Sequence, residues 1–257
     1  MNGFGLFALL TFIYSMLNYN QRKGLVDNPA NTSKKYFIGY ILLVFITQLY
    51  ANISLASSKC GANQGAIPFI ATIIPWLFMF GSLTMILAIF PGWLSPFSNT
   101  FGYFAALISG VNNLINDIFL PYSKSKVPEK NQDNPAQMAL AHIYGKKSLM
   151  INEITPSNFN YFWSSMKSLF RSGVENNKQL KESLYNVIVL KDVVAEFMWY
   201  VLGGLLVSSI SYNYIITSDC NISQKEMQKR HDEYEKDMRE ESKSEKDKNK
   251  RVYSSTE

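Results

Sequence analysis

Histidine and cysteine are almost missing from this chain, with two of each in 257 residues. His142 and His231 lie in unrelated segments, and Cys60 and Cys220 stand far apart. The spacings that build zinc sites or thiol chemistry are therefore not there. No P-loop, His-Glu-x-x-His or Gly-x-Ser-x-Gly motif occurs either. An enzyme is not expected, and no cofactor, metal or small-molecule substrate is implied. Charge is scarce in a more telling way. Residues 3–120 hold only Arg22, Lys23, Asp27, Lys34, Lys35, Lys59 and Asp117 as charged groups. A soluble domain carries about 25% charged residues throughout, so a first half this bare excludes an ordinary water-soluble globule and makes a lipid bilayer the expected partner. Basic residues are also missing before Arg22, which removes the charged start of a cleaved signal peptide.

What the first half does contain is long apolar runs. Residues 4–19, 36–56 and 66–90 each approach or exceed the roughly 20 residues that cross a bilayer as a helix, and Pro75 inside the third is tolerable there. The loop after the first run carries Arg22, Lys23, Lys34 and Lys35, whereas the next loop carries Lys59 alone. The basic loop is expected on the cytoplasmic side. Residues 3–8, "GFGLFA", fit Gly-x-Gly-x-x-Ala, but no strand precedes them, so close helix packing is the better reading. The stretch "FPGWLSPFSNTFGY" (90–103) then interrupts the third run. Pro91 and Pro96 block a continuous helix, and Trp93, Phe97 and Tyr103 are types that settle at headgroup level. It reads as a membrane-interface turn. Residues 104–120 follow as an amphipathic helix, with Asn112, Asn113, Asn116 and Asp117 opposite an apolar face. That helix is expected to lie in the interface plane.

From Pro121 the composition turns soluble. Residues 122–135 read as a linker and 136–145 as a short helix ending at Gly145. Thr155 and Pro156 open a helix whose Phe159, Phe162, Trp163, Met166 and Phe170 form an aromatic stripe, expected to lie on the membrane or on a partner. A helix from about Asn176 continues into a last span, residues 193–217, with Asp192 and Glu196 as an anchor at its entrance. The expected fold class is thus all-α, a helical membrane protein of about four spans. Its parts are a membrane domain (1–120), a soluble helical segment (121–192), the final span and a charged tail (218–257). In the tail, Glu226–Arg230, Asp232–Lys236 and Glu235–Arg239 stand at the favourable i,i+4 spacing. Met227, His231, Tyr234 and Met238 form a short seam, which suits either a solvated single helix or one that docks on a protein. The net charge of +5 is spread out, so nucleic-acid binding is not expected.

The stretch "IIPWLFMFGSLTMILAIFPGWLSPFSNTFGY" (73–103), together with "GLFALLTFIYSMLNYN" and "YFIGYILLVFITQLYANISLASSKCG", resembles a membrane-protein family of large icosahedral DNA viruses, the phycodnavirus and mimivirus-like group. The resemblance covers roughly the first 120 residues. It implies a virion protein of the inner membrane beneath the capsid, reached through membrane derived from the host endoplasmic reticulum. The expected function is a membrane-anchored minor capsid protein that touches other capsid proteins. A channel or small-solute carrier, or a membrane-remodelling assembly factor, are the alternatives. With four spans, Cys60 and Cys220 emerge on the same face, where they either pair or remain two free thiols.

Overall fold

The computed structural model describes residues 3–27, 34–61, 64–120, 147–220 and 224–248. Among them the fold is all-helical. Helix α1 is Gly3–Arg22, α2 is Lys34–Cys60, and α3, Ala66–Ile89, contains a π-helical turn at Ile74–Phe80. An irregular helical stretch, α4, covers residues 91–108, and α5 is Val111–Ile118. Two short helices follow, α6 at Lys147–Glu153 and α7 at Phe159–Ser165. The chain ends in α8, Lys178–Thr217, and α9, Gln224–Lys248. The expected linker and the helix ending at Gly145 lie outside the described residues.

Three helices, α2, α3 and α8, are long and apolar enough to cross a membrane. With α1 they form one four-helix bundle whose contacts fix the direction of every helix. Gly3 at the start of α1 accepts a 2.8 Å hydrogen bond from Gln48 on α2, while Arg22 at its end reaches Asp192 and Glu196 on α8. Cys60 at the end of α2 is bonded to Cys220 just past α8. So α1 and α3 run one way and α2 and α8 the other, giving the bundle a basic end and a disulfide end.

Burial along the bundle is inside out. Large apolar side chains on its flanks stay in the open: Ile46 is 64% exposed, Phe78 64% and Leu42 59%. The centre is closed by Phe7, fully buried, with its ring 5.1 Å from Trp76 and 5.8 Å from Phe80. Gly204 on α8 makes this possible, because a Cβ there would strike the Phe7 ring. Several polar groups between helices are paired, as Thr11 with the Tyr40 hydroxyl at 2.9 Å and Asn52 donating to Thr72 at 2.9 Å, whereas Trp76 Nε1 and Ser208 Oγ are buried without a partner among the described residues. Such pairing is what a low-dielectric surround demands.

At the basic end the chain builds a second, ordinary core. Pro75 is absorbed by the π turn of α3, and the helix stops at Phe90, whose ψ of 71° leaves the helical region. Residues 91–108 then climb along α8. Trp93 and Phe97 pack edge-on against Trp199, with ring centroids 6.4 and 5.8 Å away. Gly102 meets the backbone of Lys191 so closely that no Cβ would fit. Gly110, at φ +85°, turns the chain into α5. Around the first half of α8, a cap closes over Val111, Ile115, Ile118, Ile151, Phe159, Trp163, Leu184 and Ile188, all buried.

Two expectations change here. The apolar face of α5 (Val111, Ile115, Ile118) does not lie on lipid; it is covered by the cap core, and only its asparagines and Asp117 face outward. The aromatic stripe is likewise covered by the chain itself. Phe159 and Trp163 are buried against Tyr185 and Phe170, while Phe162 and Met166 are half-buried beside them. Phe170 leaves the helix to bridge Phe119 in a short antiparallel contact. In both cases the missing partner was α8, whose cap-facing side chains cannot be inferred from the helices they cover.

Candidate functional site

The bundle ends hold the groups with chemistry to offer. At the basic end, the Arg22 guanidinium donates to Glu196 Oε1 at 2.9 Å and to Asp192 Oδ2. Asn18, one turn earlier on α1, donates to Glu196 Oε2 at 2.7 Å. Asp192 and Glu196, four apart, share one face of α8, and Asn18 and Arg22 share one face of α1. The side chains of Arg22, Asp192 and Glu196 are 14%, 18% and 23% exposed. This is a clasp between the first and last helices of the bundle: its four groups are spent on one another. Sequence reasoning found the carboxylates but missed Asn18 and Arg22 as their partners. The only signal was that α1 ends in polar residues. Lys191, next in the chain, turns away and is 1% exposed. Its Nζ donates to the backbone oxygens of Ile151, at 2.7 Å, and Asn152, at 3.3 Å, tying α6 to α8.

Outside this clasp runs the stretch expected as a membrane-interface turn. It is instead helical from Pro91 on, because Pro91 and Pro96 each fall at the start of a new short helical turn, where a missing N–H is tolerated. Pro91 and Pro96 are exposed, Trp93 is 55% exposed, and Phe97 and Tyr103 are half-buried. With Phe101, Phe104 and Ile108 also open, α4 presents an apolar stripe that continues the bundle's outer surface.

The disulfide end is a knot of three elements. Cys60 and Cys220 are bonded with their Cα atoms 5.4 Å apart. Lys59 donates to the backbone oxygens of Ile215, at 3.0 Å, and Ser218, so it satisfies carbonyls that the end of α8 leaves open. Arg230 of α9 reaches back to the Cys60 carbonyl at 3.4 Å and lies on Gly61, which has no side chain to obstruct it. From His231 to Ser244 every residue of the tail helix is exposed. Met227 is 53%, Tyr234 63% and Met238 50% exposed, and His231 is exposed as well. Of the expected pairs, Glu235–Arg239 forms at 2.9 Å and Lys236 turns instead to Glu240, while the Glu226 side chain, and with it the Glu226–Arg230 pair, lies outside the described residues. Among the described residues, no group of three or more histidine, cysteine or acidic side chains is placed to hold a metal ion. No family model, curated protein or solved structure matches the chain.

Proposed function

We propose that the protein is a structural virion component, a minor capsid protein anchored in the viral inner membrane. In this reading α1 is a fourth span, since its 20 residues measure about 30 Å at 1.5 Å each. The carrying observation is the inside-out bundle with a polar body at each end: apolar flanks suited to lipid, a cap at the basic end and a charged helix at the disulfide end. The resemblance of residues 73–103 to membrane proteins of large icosahedral DNA viruses gives this anchor its place, and the capsid proteins around it are the partners. The basic loop would keep the cap on the cytoplasmic side. The disulfide would then lie on the oxidising side, where such bonds form and persist.

The filled centre, with Phe7, Trp76 and Phe80 in ring contact, favours an anchor over a channel. The test is fractionation of purified particles. When detergent strips the membrane, the protein should leave the shell along with the lipid. Retention in the outer shell fraction, unchanged, would refute the anchoring role.

A further inference from the structure

We infer that the tail helix α9 pairs with α9 of a second copy of this chain, antiparallel and about a two-fold axis. The inference rests on the reading of the tail as a protein-contact surface and names its partner. Met227, His231, Tyr234 and Met238 follow one another at spacings of four, three and four, so they share one face of the helix. That face is uncovered, with Met227, Tyr234 and Met238 all at least half exposed. An exposed seam of two methionines and a tyrosine, on a helix otherwise densely charged, is the composition of a contact surface and not of a solvated spacer.

The choice of partner comes from charge. When two such helices are laid antiparallel with their seams facing, Met227 of one copy meets Met238 of the other, and His231 meets Tyr234. Arg230 and Asp237 flank the seam on one edge, and this register sets each Arg230 opposite an Asp237 of the second copy, twice per pair. On the other edge Gln228 falls opposite Glu235. No like charges meet at either edge. In parallel register, His231 would face His231 and Tyr234 would face Tyr234, and two histidines stacked at one level repel whenever they are protonated. A parallel register would also set Arg230 opposite Glu235, so the edges are complementary in either direction, and it is the seam, where unlike residues meet, that selects the antiparallel pair. Each such edge pair at an exposed site is weak, so the apolar seam supplies the attraction and the charges supply the register. Arg230 also holds the start of the helix to the Cys60 carbonyl through Nη1, so with both copies in one membrane the antiparallel pair lies across the two disulfide ends.

Cross-linking on full-length protein in lipid nanodiscs containing two or more copies tests this. The double variant M227C/M238C should give an oxidant-dependent, intermolecular disulfide dimer at least tenfold more abundant than either single variant gives. Y234C alone should give little. A strong Y234C dimer means parallel pairing and overturns the inference, as does no dimer from any variant. Exchanging the edge charges separates pairing from folding. R230D should lower the cross-linking yield several-fold in the M227C/M238C background, and adding D237R should restore it, a rescue that loss of the Cys60 contact would not allow. Membrane extraction of the same samples reports on the anchoring role independently, so failure of the pair and failure of the anchor are distinguishable.

Discussion

Arg22 holds two carboxylates at once, and this decides what its loss should do. Replacing it with methionine leaves Asp192 and Glu196 facing each other in a half-buried site with only Asn18 donating. Breaking a buried pair costs about 3–5 kcal/mol, and partial exposure places this case near about 3. R22M should therefore lower the thermal midpoint in detergent clearly, and R22M combined with E196Q and D192N should recover part of the loss. If the triple variant is no better than the single one, the clasp is not an electrostatic unit. Gly204 makes the complementary case for packing. G204V pushes carbon into the Phe7 ring, and overpacking of this kind costs about 1–3 kcal/mol, whereas G81A, with open space around it, should be nearly neutral. At this scale the sequence was legible where chemistry is local. Asp192 and Glu196 stood out as an anchor, but the residue they anchor to lies 170 positions earlier in the chain, and one sequence carries no record of that distance.

Elements were easier to read than their surroundings. The apolar runs coincide with α1, α2, α3 and α8 apart from Phe90 just past α3, as expected of runs this apolar, whose backbone, if placed in lipid, has little choice but to satisfy itself as a helix. The amphipathic face of α5 and the aromatic stripe were also visible as faces that need cover. What covers them was not, since lipid, a partner and the cap core all satisfy the same pattern. The distinction has a measurable consequence. F159A and W163A each remove a buried ring from the cap and should cost about 3–5 kcal/mol, seen as rapid proteolysis within 147–177 while the spans stay membrane-bound. Y161S, at a residue 78% exposed on the same helix, should stay within about 0.5 kcal/mol of the parent. Equal protease sensitivity of the F159A and Y161S variants would mean that the stripe is not core.

The whole molecule has two ends with different chemistry, and each can be read from outside. In sealed vesicles, trypsin added to the side bearing the basic loop should cut near Lys23 and spare the tail, and disruption of the vesicle should expose the tail. Cutting at both ends of intact vesicles would remove the four-span topology. Mapping of the unreduced protein should return a Cys60–Cys220 peptide. Reduction should then loosen the far end of the bundle, because the bond closes a separation of 160 residues. In the chain-entropy account a loop of that size is worth about 5 kcal/mol against a free chain, and less under the proposed anchoring, where the spans would stay in lipid when the tertiary structure is lost. Quantitative alkylation of both thiols before reduction is the outcome that would exclude the bond.

That separation also sets a schedule. A ribosome adds about 5–20 residues per second, so the 160 positions between the two cysteines take roughly 8–30 s to make. Throughout that interval Cys60 is an open thiol with no proper partner yet in existence. The far end of α2 must wait, unlocked, until α8 has been made and packed beside it. Any mixed disulfide captured on a stalled nascent chain should therefore involve Cys60, and never Cys220.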